Sequence, residues 1–368
     1  MNNSMEGFAA SVALESRSCE QLGLPWLLAD IGGTNARFGW VHTPGQGVEY
    51  IQTLPVADHA EPADAAEHYL SLLQQALGKG FARPRRAAWA VATAIQGDSV
   101  AMTNSTWRFS RRHLQQTLAV EQLLVLNDFE ALALSLPKLS ARQYRPWAAS
   151  PSAQGVVAVV GPGTGLGVGA AVQTAHGWAA LPGEGGHATL APMDNLESEL
   201  LYVVRREYPH VSAERLLSGI GLPVLHGALA QVLGHVGSPL SAEQVVERGV
   251  SRVDNLCHTT LHTFCALLGG FCGNVALTYG ARGGLYVGGG IVPRLGELFF
   301  ASRFRERFEA KGRFQAYLQD IPTALITDTL AALTGAAFAL EQLAPAAVTP
   351  SPATCAAAHS TINPDPPG

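Results

Sequence analysis

A chain of 368 residues is longer than one hydrophobic core usually organises, so it predicts two lobes of unequal size with a ligand between them. With 47% hydrophobic and 14% charged residues it is a packed globular protein and not a disordered one. A formal net charge of −5 argues against nucleic acid as a partner, because no lysine- and arginine-rich stripe is present to neutralise phosphates.

Residues 1–24 have neither a basic start nor a long apolar core, and read as an N-terminal extension, not a secretory signal. From about Pro25 to Leu136 the chain alternates strand-like and helix-like segments: LLAD, ARFGWV, an amphipathic DAAEHYLSLLQQAL, AAWAVAT, and QLLVLND followed by FEALALSL. This alternation predicts an α/β lobe. Within it, LLADIGGTNARFGW joins two apolar strands through Gly32, Gly33 and Thr34, with Asp30 just before the turn. Bare glycine backbones and a threonine hydroxyl make a phosphate cradle, and Asp30 can hold Mg²⁺ through water. An ordinary hairpin turn is the alternative for this segment taken alone.

In QLLVLNDFEALAL, Asn127 and Asp128 fall between a buried strand and a helix, where ligands of α/β sheets collect. A carboxylate there is held ionised by the helix N-terminus, with an ordinary pKa near 4, and can accept a proton from a substrate hydroxyl. The plainer alternative is a helix N-cap. After a linker-like stretch at 146–152 the pattern restarts as GVVAVVGPGTGLGVGAAV. Its six glycines within 155–172 and its Gly-Pro-Gly break make it two strands and a turn, not a membrane span. No lysine follows GPGTGLG, which separates it from the phosphate loop that opens a helix. The strand, glycine-threonine turn and returning strand thus occur twice, as an internal duplication would leave them.

Further on, Glu184 and His187 lie on a glycine-rich loop, ALPGEGGHATLAP, and Glu214 begins a helical-looking segment, VSAERLLSG. Carboxylates and an imidazole suit a polyhydroxylated ligand. A metal site on Glu184, His187 and Glu214 is the lesser alternative, because one histidine among carboxylates is a poor zinc set. The five cysteines, at 19, 257, 265, 272 and 355, form no CxxC pair, and three of them fall in the helical run NLCHTTLHTFCALLGGFCGNVAL. Those three read as buried apolar residues, and the cysteine pattern as a whole fits a reducing cytoplasm. The stretch 344–368, rich in Pro, Ala and Thr, reads as a disordered tail.

The segments ADIGGTNARFG, AMTNSTW, LNDFEA, GPGTGLGV, LPGEGGH, SAERLLSG, VGGGIVPR and KGRF, in this order, resemble the bacterial ATP-dependent glucokinase family over about 25–343. The resemblance implies a two-lobed actin-like fold built on duplicated ribonuclease-H-type units. In it 25–138 with 328–343 form the smaller lobe and 139–327 the larger. It implies ATP with Mg²⁺, glucose as acceptor, no membrane, and a homodimer. Position by position, Asp128 resembles the catalytic base, and Asn127, Asp128, Glu184, His187 and Glu214 resemble the sugar set. Ala29, Asp30, Ile31, Gly32, Gly33 and Thr34 resemble one nucleotide loop, and Gly163, Thr164 and Gly165 the other. Gly288–Gly290, with Gly289 at its centre, is expected beneath the adenosine, and Thr103, Asn104 and Trp107 beside the sugar. A sugar sensor of the same fold would have lost the base or a phosphate loop, and an ATPase without sugar would lack the Asn–Asp–Glu–His–Glu set.

Overall fold

The computed structural model describes residues 22–343 apart from 44, 153 and 237. Residues 1–21, the 344–368 stretch, Cys19 and Cys355 lie outside the described residues.

In chain order the first unit consists of β1 (Trp26–Ile31), β2 (Asn35–Val41), β3 (Glu49–Pro55), α1 (Pro62–Leu77), β4 (Arg86–Val91), the short strands β5 (Ser99–Ala101) and β6 (Arg108–Ser110), α2 (Arg111–Thr117), β7 (Gln122–Asn127) and α3 (Asp128–Ser135). A second unit follows: β8 (Tyr144–Pro146), β9 (Val156–Pro162), β10 (Leu166–Thr174), β11 (Gly177–Leu181), α4 (Asn195–Arg205), α5 (Leu222–Val232), α6 (Ala242–Val250), α7 (Asn255–Tyr279), β12 (Gly284–Val287), α8 (Phe304–Glu309), β13 (Thr323–Ile326) and α9 (Ala331–Leu343).

The two main sheets repeat one plan. The first has the order β3-β2-β1-β4-β7 and the second β11-β10-β9-β12-β13-β8. In each, an antiparallel meander is followed by two strands parallel to its first strand. The internal duplication read from the two hairpins is therefore present in the topology. β1 and β9, central and flanked on both sides, are apolar nearly throughout, as strands covered on both faces must be.

One expectation changes here. The start of the linker-like stretch is structured: Tyr144–Pro146 pairs antiparallel with β13, and Trp147 packs on Phe299, Phe300 and Phe304. A three-residue edge strand carries too little periodicity to be seen in sequence.

The closing helices change places. α3, which follows the last strand of the first sheet, packs chiefly on β10, β11 and β9 and on α9, while α9, which follows β13, packs on β4 and β1. Helix α7 is long and apolar enough to cross a membrane, yet 78% of its apolar window is buried inside the molecule. It is the central helix of the larger core, and its Cys257, Cys265 and Cys272 are buried free thiols.

Candidate active site

The parallel strands β1, β4 and β7 end in one row, with Ile31, Val91 and Asn127 in register. Their carboxyl ends therefore share one edge of the sheet. Beyond β1 the chain turns at once: Gly32 N–H donates to Asn35 O at 2.9 Å, which closes the first hairpin and leaves Thr34 exposed. Ala29 and Ile31 have their side chains in the core, so only Asp30 of that strand end presents a functional group. Gly33 is bare for a definite reason, since a Cβ there would stand 2.6 Å from Asn104 O. The 103–104 loop is thus seated on the first hairpin, with Thr103 Oγ1 3.2 Å from Thr93 Oγ1. Trp107 departs from expectation: its ring is buried in the core of the first sheet, with Nε1 donating to His59 O, and cannot border a ligand.

Asn127 caps α3. Its Oδ1 accepts from the N–H of Phe129 and Glu130, and Glu130 Oε2 accepts from Asn127 N–H, completing a capping box. Its amide donates to Thr93 O at 3.1 Å. The capping alternative thus describes Asn127 as it stands. Asp128, the first residue of α3, has Oδ1 accepting from Phe129 N–H at 3.0 Å.

The ordinary pKa expected of Asp128 is corrected by the structure. Burial, reinforced by the negative charge of Asp30, pushes it up to about 7, against the opposing hydrogen bond from Phe129 N–H. Asp30 is likewise raised by burial, with Arg37 acting in the other direction. Arg37 Nη1 lies 3.6 Å from Asp30 Oδ2 and donates to Thr329 O at 2.7 Å, so it joins the first hairpin to the loop that leads into α9.

The second hairpin turns at 163–165, where Gly163 N–H donates to Gly165 O at 2.8 Å. Thr164 is exposed at its tip. Gly289, at a φ of 76°, is pressed against Pro162 O, which sets the 288–290 turn beside this hairpin.

Glu214 lies in a run of turns ahead of α5, not at the start of a helix. Gly219 and Gly221 interrupt what the apolar spacing suggested, and Ser218 Oγ ties back to Glu214 O at 2.7 Å. The Glu214 side chain is fixed, because Oε2 accepts from Leu166 N–H at 2.8 Å and fills the space a Cβ on Gly165 would need. His187 links the set: its Nε2 is 3.8 Å from Glu184 Oε2 and its Nδ1 3.8 Å from Glu214 Oε1. His187 and Glu184 are about 60% exposed, open to a ligand. The negative charge of Glu184 also reaches Asp128 and adds to the rise of its pKa.

Among the described residues no group of three or more His, Cys, Asp and Glu side chains is arranged to hold a metal ion, so the metal alternative on Glu184, His187 and Glu214 finds no support. Asp30 is different in kind. It is an oxygen donor facing a second carboxylate, and the repulsion between them is what a hydrated divalent cation carried by a polyphosphate would relieve. A single oxygen donor of this kind suits Mg²⁺, which keeps much of its water and takes its other ligands from a polyphosphate.

Sequence reasoning missed Arg37, Thr93 and Phe129. Glu130, three residues after Asn127, carried a readable capping-box signal. Arg37 pairs with Asp30 in the hairpin register, a relation visible only once the turn length is fixed.

A family model described as Glucokinase matches residues 27–343. The glucokinase of Aromatoleum aromaticum is 46% identical over 318 residues, covering 86% of this chain and 95% of its own. A crystal structure of glucokinase from an Antarctic psychrotroph superposes with a TM-score of 0.79 at 39% identity, over 86% of this chain and 98% of that one. A ROK family glucokinase from Streptomyces griseus, solved with glucose and AMPPNP, shares the fold at a TM-score of 0.56 and 19% identity, over 87% of this chain and all (100%) of that one.

Proposed function

The chain belongs to the glucokinase family, with the actin-like fold of the sugar kinases, and we propose a division of labour for the residues of its cleft. The reaction is transfer of the γ-phosphoryl group of ATP to the 6-hydroxyl of glucose, giving glucose 6-phosphate and ADP. Phosphoryl transfer needs alignment, charge neutralisation and a base, and little covalent chemistry from the protein.

Asp128 takes the proton from the 6-hydroxyl as it attacks. The observation that carries this assignment is a carboxylate at a strand end, oriented by Phe129 N–H and raised to about 7, close to where a general base works best. Glu184, His187 and Glu214 accept and donate hydrogen bonds to ring hydroxyls, and Asn127 fixes the start of α3 beside them. The turns at 32–34 and 163–165 present backbone N–H groups and the exposed Thr34 and Thr164 to the triphosphate, with Gly289 under the adenosine. Asp30 would hold Mg²⁺ through water, where the bound ion would supply charge neutralisation for the phosphates.

The lobes proposed are 25–138 with 328–343, and 139–327, the packing of α9 on β1 and β4 favouring the return of the C-terminal helix to the first unit. Closure of the two would exclude water. A homodimer is proposed from the family resemblance, and a cytoplasmic setting from the free, buried thiols.

The test is an assay with ATP, Mg²⁺ and a panel of hexoses, reading sugar 6-phosphate and ADP, on native protein and Asp128→Asn. Native protein is expected to phosphorylate glucose. The variant is expected to bind glucose while its kcat falls at least about a hundredfold, as loss of a general base predicts. A variant with near-native kcat removes Asp128 from the mechanism.

A further inference from the structure

We propose that Phe129 is a positioning residue that locks the base-bearing end of α3 onto the second phosphate hairpin. The proposal rests on the reading of Asp128 as base and of 163–165 as a phosphate turn.

Two features of one residue carry it. The backbone N–H of Phe129 is bound by Asn127 Oδ1 at 2.9 Å and Asp128 Oδ1 at 3.0 Å, so its position sets the orientation of the Asp128 carboxylate. Its ring reaches across to the other unit. Gly161 and Gly167 are cross-strand partners in the β9–β10 hairpin, and a Cβ on either would overlap the Phe129 ring. A Cβ on Gly169 would stand 2.5 Å from Phe129 O. The next pair along the ladder, Pro162 with Leu166, leads directly into the 163–165 turn.

Three glycines in adjoining strands are costly, roughly 0.5–1 kcal/mol each relative to alanine, and mark a site where another group comes close. Here that group is the Phe129 ring at 161 and 167 and the Phe129 carbonyl at 169. The glycines at 161, 167 and 169, beside the 163–165 turn that resembles a phosphate loop, are therefore a seat for Phe129. Base and turn sit on different units of the duplicated fold, and phosphoryl transfer requires them in line. α3 packs along β10, β11 and β9, and the ring in its glycine seat ties its base-bearing end to the ladder that leads into the turn.

Reciprocal changes in size test this on the full-length chain. Gly167→Ala is expected to lower kcat at least about tenfold while KM for glucose stays within about threefold, because misplacement of a reacting group by even an ångström is costly. Phe129→Ala should do the same and Phe129→Leu less. Combining Gly167→Ala with Phe129→Leu, where the trimmed side chain makes room for the methyl, should recover at least about half of the loss in log kcat, as coupling between touching residues predicts. A residue that merely stabilises the fold would lower Tm but leave the kcat of the folded fraction alone and give no recovery. The proposal is overturned if folded Phe129→Ala or Gly167→Ala keeps kcat within threefold of native, or if the double variant is no better than Gly167→Ala. Should Phe129→Ala not fold, the glycine variant and its double decide. An active Asp128→Asn sinks the base reading instead; an inactive one beside an unaffected Phe129→Ala sinks only this proposal.

Discussion

Asp128 and Asp30 are brought together by the sheet. Asp30 is the last residue but one of β1 and Asp128 directly follows β7, and the register that aligns Ile31 with Asn127 through β4 brings them to one edge. The rise of Asp128 to about 7 corresponds to roughly 4 kcal/mol against the charged form. That rise stands in spite of the hydrogen bond accepted from Phe129 N–H, so burial and the charge of Asp30 win. The proposed base works only when ionised. kcat/KM for glucose is therefore expected to fall as pH drops through an acidic limb near 7, where an unperturbed carboxylate would give a limb near 4. Asp30→Asn removes the like charge and should move that limb to lower pH, with a separate rise in KM for ATP. A pH–rate profile of both proteins checks this, and a limb that stays in place would remove Asp30 as its cause. Sequence placed both residues at strand ends. It could not give their protonation, which depends on burial and on a neighbour about a hundred positions away.

The hairpins, as elements, were fully legible: alternation, paired glycines and a following apolar run give β1–β2 and β9–β10. So were α1 and α7, from periodicity and length. The purpose of individual glycines was not legible, because a bare backbone reads alike whether a phosphate, a ring or a carboxylate comes close. Gly165 illustrates this. In sequence it is a residue that lets phosphate approach, yet in the structure the Glu214 carboxylate occupies the space beside it. Gly165→Ala is accordingly expected to displace Glu214 and raise KM for glucose about tenfold, the loss of one ligand hydrogen bond worth roughly 1–3 kcal/mol, with a smaller effect on ATP. Thr34→Val, which alters an exposed hydroxyl at the other turn, should raise KM for ATP and spare glucose. Initial-rate kinetics against each substrate separate the two. If Gly165→Ala changes only ATP kinetics, Glu214 is not a sugar ligand.

At the scale of the molecule, the duplicated plan acquires its unity from the exchange of closing helices, since α3 and α9 pack on each other and each lies against the other unit's sheet. Their crossing point is Gly335, where a Cβ would overlap the carbonyl of Ala131. Glycine inside a helix costs about 1 kcal/mol against alanine, so Gly335 is retained at a loss that the close crossing offsets. Two glycine-to-alanine changes should therefore have opposite signs. Gly335→Ala inserts a methyl against backbone, which cannot rotate away, and is expected to destabilise by about 1–3 kcal/mol in spite of the propensity gain. It should also lower kcat, because α3 begins with Asp128 and any shift of the crossing is transmitted along a rigid helix. Gly227→Ala, in the middle of α5 with nothing within 4 Å of its Cβ, should stabilise by roughly 0.5–1 kcal/mol and leave kcat unchanged. Thermal melts and steady-state rates on both variants decide the matter: a Gly335→Ala protein that melts higher and turns over normally would mean that the two helices do not bind the units together at this point.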